Sequence, residues 1–257
     1  GNRDGQRSGY QGNRDGQRSG GYQGNRLAGK DWGVVFLLSL LRAVTSFSLI
    51  IAYQNIASGV ASTIHFMYPL AVALAMMFFF REKKSLLVIL AVLMSLLGAA
   101  LLSLGELEAK SGNTMVGLVA ACVSVFSYAG YIVGVRTTRV VQINSTALTC
   151  YVMGLGTIFY LIGAYCTSGL QLVSDGYTWL IILGLALPAT AISNITLVQA
   201  IKYAGPTLTS ILGAMEPLTA VVIGVFVFKE LFTVNSAVGI ILILLAVSIV
   251  VFRRQKS

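Results

Sequence analysis

Eight stretches of this chain are long, almost uncharged apolar runs: 33–54, 58–80, 85–105, 113–135, 146–167, 178–201, 206–228 and 234–252. Each is close to the ~20 residues an α-helix needs to cross a hydrocarbon core of roughly 30 Å. Within a bilayer every backbone N–H and C=O must be paired inside the structure, so a solid apolar run of this length becomes a transmembrane helix. Only 11% of the residues are charged and mean hydropathy is +0.81, against about 25% charged in soluble domains. An outer-membrane barrel is excluded, because its strands alternate over about ten residues instead of forming solid apolar blocks. The expected fold is an all-α membrane protein, a polytopic bundle of about eight helices with short loops and antiparallel neighbours.

The formal net charge is +9, and its distribution reports orientation, not nucleic-acid binding. With the N-terminus in the cytoplasm, that side holds Arg3, Arg7, Arg14, Arg18, Arg26, Lys30, Arg81, Lys83, Lys84, Arg136, Arg139, Lys202, Arg253, Arg254 and Lys256. The opposite side holds Lys110 and Lys229, with Glu106, Glu108 and Asp175. Fifteen basic residues against two is a positive-inside bias that puts both termini in the cytoplasm. Cys122, Cys150 and Cys166 fall within the runs; without metal-ligand or disulfide spacing, they read as small buried hydrophobes. No metal or cofactor is expected.

Two of the runs match each other across an offset of 148 positions. Ser62, Met67, Pro69, Leu70, Phe78 and Glu82 correspond to Ser210, Met215, Pro217, Leu218, Phe226 and Glu230. Each run carries a proline near its middle and ends in a basic-acidic pair, Arg81-Glu82 or Lys229-Glu230. Duplicated, proline-interrupted membrane helices point to a transporter built from internal repeats. Residues 1–26 stand apart: they read GNRDGQRSGYQ, GNRDGQRSGGYQ and GNR. This composition buries too little to fold and reads as a disordered tail.

The segments AYQNIASGVASTIHFMYPLAVALAMMFFFREKKS and QAIKYAGPTLTSILGAMEPLTAVVIGVFVFKELFTVNSAVGIILILLAVSIVVF resemble the signature segments of EamA-type members of the drug/metabolite transporter superfamily. The shared pattern is a small-residue run, a mid-helix proline, an apolar stretch, a glutamate at the helix end and a glycine-containing last helix. Here these are Pro69 with Glu82, and Pro217 with Glu230 followed by Gly239. The resemblance covers roughly 33–252. It implies two inverted repeats that carry small metabolites across the bacterial inner (plasma) membrane. Under it, 1–30 is the tail, 31–110 a partial three-helix repeat and 111–257 a five-helix repeat. An odd number of helices per repeat points the second copy the opposite way. Two helices expected upstream are absent from the first repeat, which puts transport competence at stake.

Ionisable groups inside the runs cost ~2.5–3.5 kcal/mol on insertion scales, so they need a reason. Glu216 lies beside Pro217 and suits binding of a proton or a substrate cation. Arg42 would meet an anionic substrate, pair with Glu216, or snorkel to the interface. His65, the only histidine, is a titrating group or a hydrogen bonder between helices. Ser58, Ser62, His65 and Pro69 share a helix face, as do Ser124, Tyr128 and Tyr131. Tyr68, Asn194 after Pro188, and Ser193, Gln199, Tyr53, Gln54 and Asn55 add further polar groups. Pro69 and Pro217 cannot donate a backbone hydrogen bond, which frees the carbonyls of His65 and Gly213. They are hinges and site-formers, or kinks that merely shape the bundle.

The leading expectation is a secondary transporter, an exporter or exchanger of an amino acid or related organic solute working by alternating access. Its partners would be that solute, membrane lipid and a coupling ion or proton, with a homodimer as a further option and no nucleic acid. The alternative is a truncated, non-transporting membrane protein or scaffold. An enzyme is not expected: Asp4, Asp15 and Asp31 precede the first run, Asp175 is in a loop, and no G-x-S-x-G accompanies His65.

Overall fold

The computed structural model describes residues 27, 29, 31–56, 58–80, 86–103, 112–167, 173, 175–213, 215–226 and 234–255. All regular elements among them are helical. The tail over 1–26, the pairs Arg81-Glu82 and Lys229-Glu230, and the acidic loop at Glu106 and Glu108 lie outside the described residues.

The helices are α1 Trp32–Asn55, α2 Ser58–His65, α3 Tyr68–Phe79, α4 Leu86–Ser103, α5 Thr114–Thr137, α6 Ser145–Thr167, α7 Gly176–Gly184, α8 Ser193–Ala204, α9 Pro206–Leu212, α10 Met215–Phe226 and α11 Val234–Gln255. A π-helical segment, Leu185–Ile192, joins α7 to α8. Taken in chain order these make eight rods whose ends fall within a few residues of the eight apolar runs. Five of the described helices are long and apolar enough to cross a membrane, beginning with Trp32–Asn55 and ending with Gly176–Ala204.

The two matching runs are both broken at their prolines. Pro69 takes the second position of α3 and Pro217 the third position of α10. A proline is tolerated in a helix's first turn, where no N–H is required of it, so each rod ends one helix and starts another instead of kinking a continuous one. Gly213's carbonyl is not left free as expected: it accepts from the Glu216 N–H at 3.0 Å. The chain closes the gap with a tighter i to i+3 bond. Gly205 is the one described glycine with positive φ, at +87°; it ends α8, and Pro206 starts α9, a Gly-then-Pro stop and start.

Small residues bring the last helices of the two copies together. Ala91, Ser95 and Gly98 on α4 correspond, at the same offset, to Gly239, Ile243 and Ala246 on α11, and all six are buried. A Cβ on Gly98 would lie 2.7 Å from the Gly239 carbonyl oxygen and from Ile243 Cγ1. Lipid tails are as apolar as leucine, so such close approach, not hydrophobic exclusion, holds membrane helices together. The same device joins α1 to α5 and α6. A Cβ on Gly134 would meet Leu38 at 2.8 Å, on Gly117 would meet Ile56 at 2.6 Å, and on Gly163 would meet Phe47 at 2.4 Å. Thr45 Oγ1 and Ser127 Oγ, 2.9 Å apart, add a polar tie between α1 and α5.

The 148-residue offset pairs α1 with the rod from α7 to α8, but their surroundings differ. One is packed by α5 and α6 and buries Val35, Leu38, Ala43 and Ala52. In the other, α7 and the π segment bury no residue. Only α8 re-enters the bundle, burying Asn194, Val198, Ile201 and Lys202. At its end Lys202 Nζ donates to the Ile143 carbonyl, and Arg136 Nη1 donates to the Lys202 carbonyl at 2.7 Å. Lys202 thereby ties α8 to the connection between α5 and α6, and Arg136 caps a carbonyl in the last turn of α8.

The cysteines depart from expectation. Cys122, Cys150 and Cys166 are all exposed. A membrane protein's outer surface meets acyl chains, so a small apolar side chain is as well placed outside the bundle as within it.

Candidate functional site

The breaks in the two rods face each other across the bundle, because α3 packs on α9. Around them the structure gathers six of the seven candidate side chains through direct contacts. Arg42, half-buried midway along α1, donates from Nη2 to Asn194 Oδ1 at 3.1 Å. Its guanidinium carbon lies 5.3 Å from the Tyr128 ring centroid and 5.8 Å from that of Tyr131. Those two rings are nearly parallel, 9° apart in plane and 6.3 Å apart in centroid. A guanidinium against a tyrosine face gains ~0.5–2 kcal/mol, more where water is excluded. This environment supports a cation inside the bundle, with Arg42 directed at protein groups.

Tyr68 is buried. Its ring meets Tyr128 edge-on at 4.7 Å and His65 at 5.5 Å. Tyr128 also lies 5.4 Å from His65, so the three rings form one wall. His65 Nδ1 lies 2.9 Å from Ser124 Oγ. The Ser124 hydroxyl also reaches the Ala121 carbonyl at 2.6 Å. His65 ties α2 to α5 through this hydrogen bond.

Asn194 is positioned by the π segment. Pro188 interrupts the regular ladder there, and Thr190 Oγ1 reaches back five residues to the Leu185 carbonyl at 3.0 Å. The Thr190 carbonyl then accepts from Asn194 Nδ2 at 2.7 Å. With its amide nitrogen committed, Asn194 presents its oxygen to Arg42. Single π turns within helices often mark functional positions. Thr190 is the offset counterpart of Arg42, a relation visible in the numbering but missed without the π turn.

Glu216 is exposed. Its backbone N–H donates to the carbonyl of Gly213, the residue that faces the Tyr68 hydroxyl from the second rod. The Arg42 hydrogen bond goes to Asn194 and not to this carboxylate. Of the other polar groups, Ser193, Gln199 and Gln54 are exposed, Tyr53 meets Ser62 at 3.2 Å, and Asn55 accepts from the Asn113 backbone at 3.0 Å. They serve helix ends or face outward and do not join the cluster. An apolar groove of about 600 Å³ lies elsewhere, between α1 and α5, lined by residues including Leu41, Val119 and Phe126. It offers little to orient a polar solute.

The described residues hold no group of three or more His, Cys, Asp or Glu suited to a metal ion. The arrangement sets one cation, a tyrosine-histidine wall and an amide at the point where two rods lose helical continuity, with one carboxylate on the second rod just past its break.

The comparisons with known proteins agree with this architecture. No curated protein matches the sequence. Twenty-eight solved chains match in fold; one crystal structure superposes with a TM-score of 0.75 over 91% of this chain and 80% of its own, at 18% identity, which speaks for the fold alone. The family model for EamA-like transporters matches residues 21–104 and again 115–252. With two copies of that model spanning most of its length, a broken rod in each and α4 packed on α11 between them, the chain belongs to the EamA-like transporter family, membrane transporters of the drug/metabolite superfamily.

Proposed function

We propose that this protein is a secondary transporter, an exporter or exchanger, that moves a small zwitterionic solute such as an amino acid across the inner membrane by alternating access. Both termini would lie in the cytoplasm, as the fifteen-to-two distribution of basic residues favours. The observation that carries the reading is the convergence of Arg42, Asn194 and the Tyr68, Tyr128 and Tyr131 rings beside the facing breaks of two repeat-related rods, with Glu216 three residues past Gly213 on the second. A guanidinium suits a solute carboxylate, a carboxylate suits an ammonium group or a coupling proton, and tyrosines suit the apolar remainder. Broken membrane helices add backbone polar groups at mid-depth, where transporters of this general design hold their substrates. Rocking of one copy against the other about the α4–α11 contact would expose the site to each side in turn. Lipid would seal the outer faces, and a homodimer is compatible with the exposed surface.

A second reading, a non-transporting membrane scaffold, is favoured by one observation: α7 and the π segment bury nothing. One experiment separates the two. The purified chain is reconstituted into liposomes and assayed for exchange of radiolabelled L-phenylalanine, L-lysine and L-glutamate. The transporter reading expects flux that is strongest for the zwitterion and lost in Glu216→Gln. Equal background leakage for wild type, variant and empty vesicles would sink it.

A further inference from the structure

We propose that Gly213 is a positioning residue: the room left by its missing side chain seats the Tyr68 hydroxyl, and this seat fixes the aromatic wall opposite Glu216. The functional consequence rests on the transporter reading above, while the geometry stands without it.

Glycine at this position is not explained by backbone conformation. Gly213 has φ −58° and ψ −24°, ordinary right-handed helical values open to any residue. Its N–H donates to the Thr209 carbonyl at 3.1 Å and its carbonyl accepts from Glu216 at 3.0 Å; alanine would keep both bonds. In a helical setting glycine costs about 1 kcal/mol relative to alanine, so a compensating reason is needed. It lies across the bundle. A Cβ on Gly213 would sit 1.8 Å from the Tyr68 hydroxyl oxygen and 3.1 Å from the ring carbon that carries it. Tyr68 has little freedom to yield, because its ring is buried and held by Tyr128 and His65.

The repeat makes the contact one-sided. At the 148-residue offset Gly213 stands where His65 stands in the first copy, and Tyr68 stands where Glu216 stands in the second. The reciprocal contact would join Glu216 to His65, but His65 Nδ1 is committed to Ser124. At the breaks the first copy reaches into the second with the Tyr68 hydroxyl, and the second makes room for it one turn before its carboxylate.

The test uses the full chain labelled with fluorotyrosine, its Tyr68 fluorine resonance assigned by loss in Tyr68→Phe. Gly213→Ala should shift the Tyr68 and Tyr128 resonances and leave that of the distant Tyr177 in place. In liposomes Gly213→Ala should cut L-phenylalanine exchange ~10-fold, yet change it less than ~3-fold when added to Tyr68→Phe, the non-additivity expected of groups in contact. If Gly213→Ala alone does not fold, the paired Tyr68→Phe must restore a monodisperse protein. An unmoved Tyr68 resonance, an equal penalty in both backgrounds, or no restoration overturns the proposal. Should the wild type move no L-phenylalanine, the transporter reading suffers, while the fluorine shifts still decide the role of Gly213.

Discussion

The rod made of α2 and α3 and the rod made of α9 and α10 break at equivalent positions but bring different groups to the site. At equivalent positions one has His65, the last residue of α2, and the other Gly213, the residue just past α9; three residues on, one has Tyr68 and the other Glu216. Between the preceding rods, Arg42 on α1 is matched by Thr190 in the π segment. The first copy thus supplies the cation and the bulk, and the second supplies the carboxylate and the room. Duplication preserved the elements that shape the backbone, the prolines and small residues. The side chains that a solute would touch diverged, as they must if an asymmetric solute is held on a near-symmetric frame.

The largest effect should come from removing the second copy's charge. Glu216→Gln is expected to lower solute exchange ~10–100-fold, the equivalent of ~1.5–3 kcal/mol for one charged contact, without changing expression or monodispersity. Wild-type exchange in that variant would remove Glu216 from the site. On the first copy's side, Arg42→Lys should lose ~10-fold in apparent affinity, since a point charge replaces the planar fork that reaches Asn194 and lies against two rings. Saturation curves for wild type and variant check this. Asn194→Leu tests the link between the copies: it removes the acceptor for Arg42 and the donor to Thr190, and should cost ~1–3 kcal/mol of stability, read as a lower Tm in detergent. Gly98→Val would sharpen the view that the copies meet through small residues. Overpacking α4 against α11 should cost ~1–3 kcal/mol, whereas the same change at Gly33, where nothing lies within 4 Å of an added Cβ, should be near neutral.

The smallest effect concerns the start of α7. Thr178's backbone N–H and then its hydroxyl, each at 3.0 Å, hold the Asp175 carboxyl below its usual range. A lowered folded value means the cap contributes above the unfolded carboxylate range near ~3.9 and is lost as the pH falls through the lowered value. Tm of wild type and Asp175→Ala should differ slightly but steadily over pH ~5–8 and converge only under strongly acidic conditions. A difference confined to neutral pH would contradict the assignment.

Length and apolarity alone placed the eight rods, because a bilayer leaves the backbone no other choice over such runs. The breaks were legible from Pro69 and Pro217, and the helical spacing of Ser124, Tyr128 and Tyr131 put them on one inward face. Spacing did not show that the turns at the breaks re-pair their own carbonyls, as Glu216 does for Gly213. Nor did it separate Asn194 from Gln199 or Asn55, since polarity marks a candidate while only the π turn decides which amide faces Arg42. The outward cysteines escaped for a related reason: apolar inside and apolar outside look alike in a membrane sequence. The glycine at 213 was visible as a repeat partner, but its purpose needs the tyrosine that the fold lays against it.

Water's access to the meeting point of the rods is the most direct test of this account. In a background with Cys122, Cys150 and Cys166 replaced by serine, a single thiol introduced by Glu216→Cys is exposed to a charged, membrane-impermeant thiol reagent added to one face of sealed vesicles and then to the other. Labelling from both faces, slowed by excess L-phenylalanine, is the predicted result. Labelling from neither face, with ready reaction toward a lipid-soluble maleimide, would place position 216 among acyl chains and contradict a solute site between the two copies.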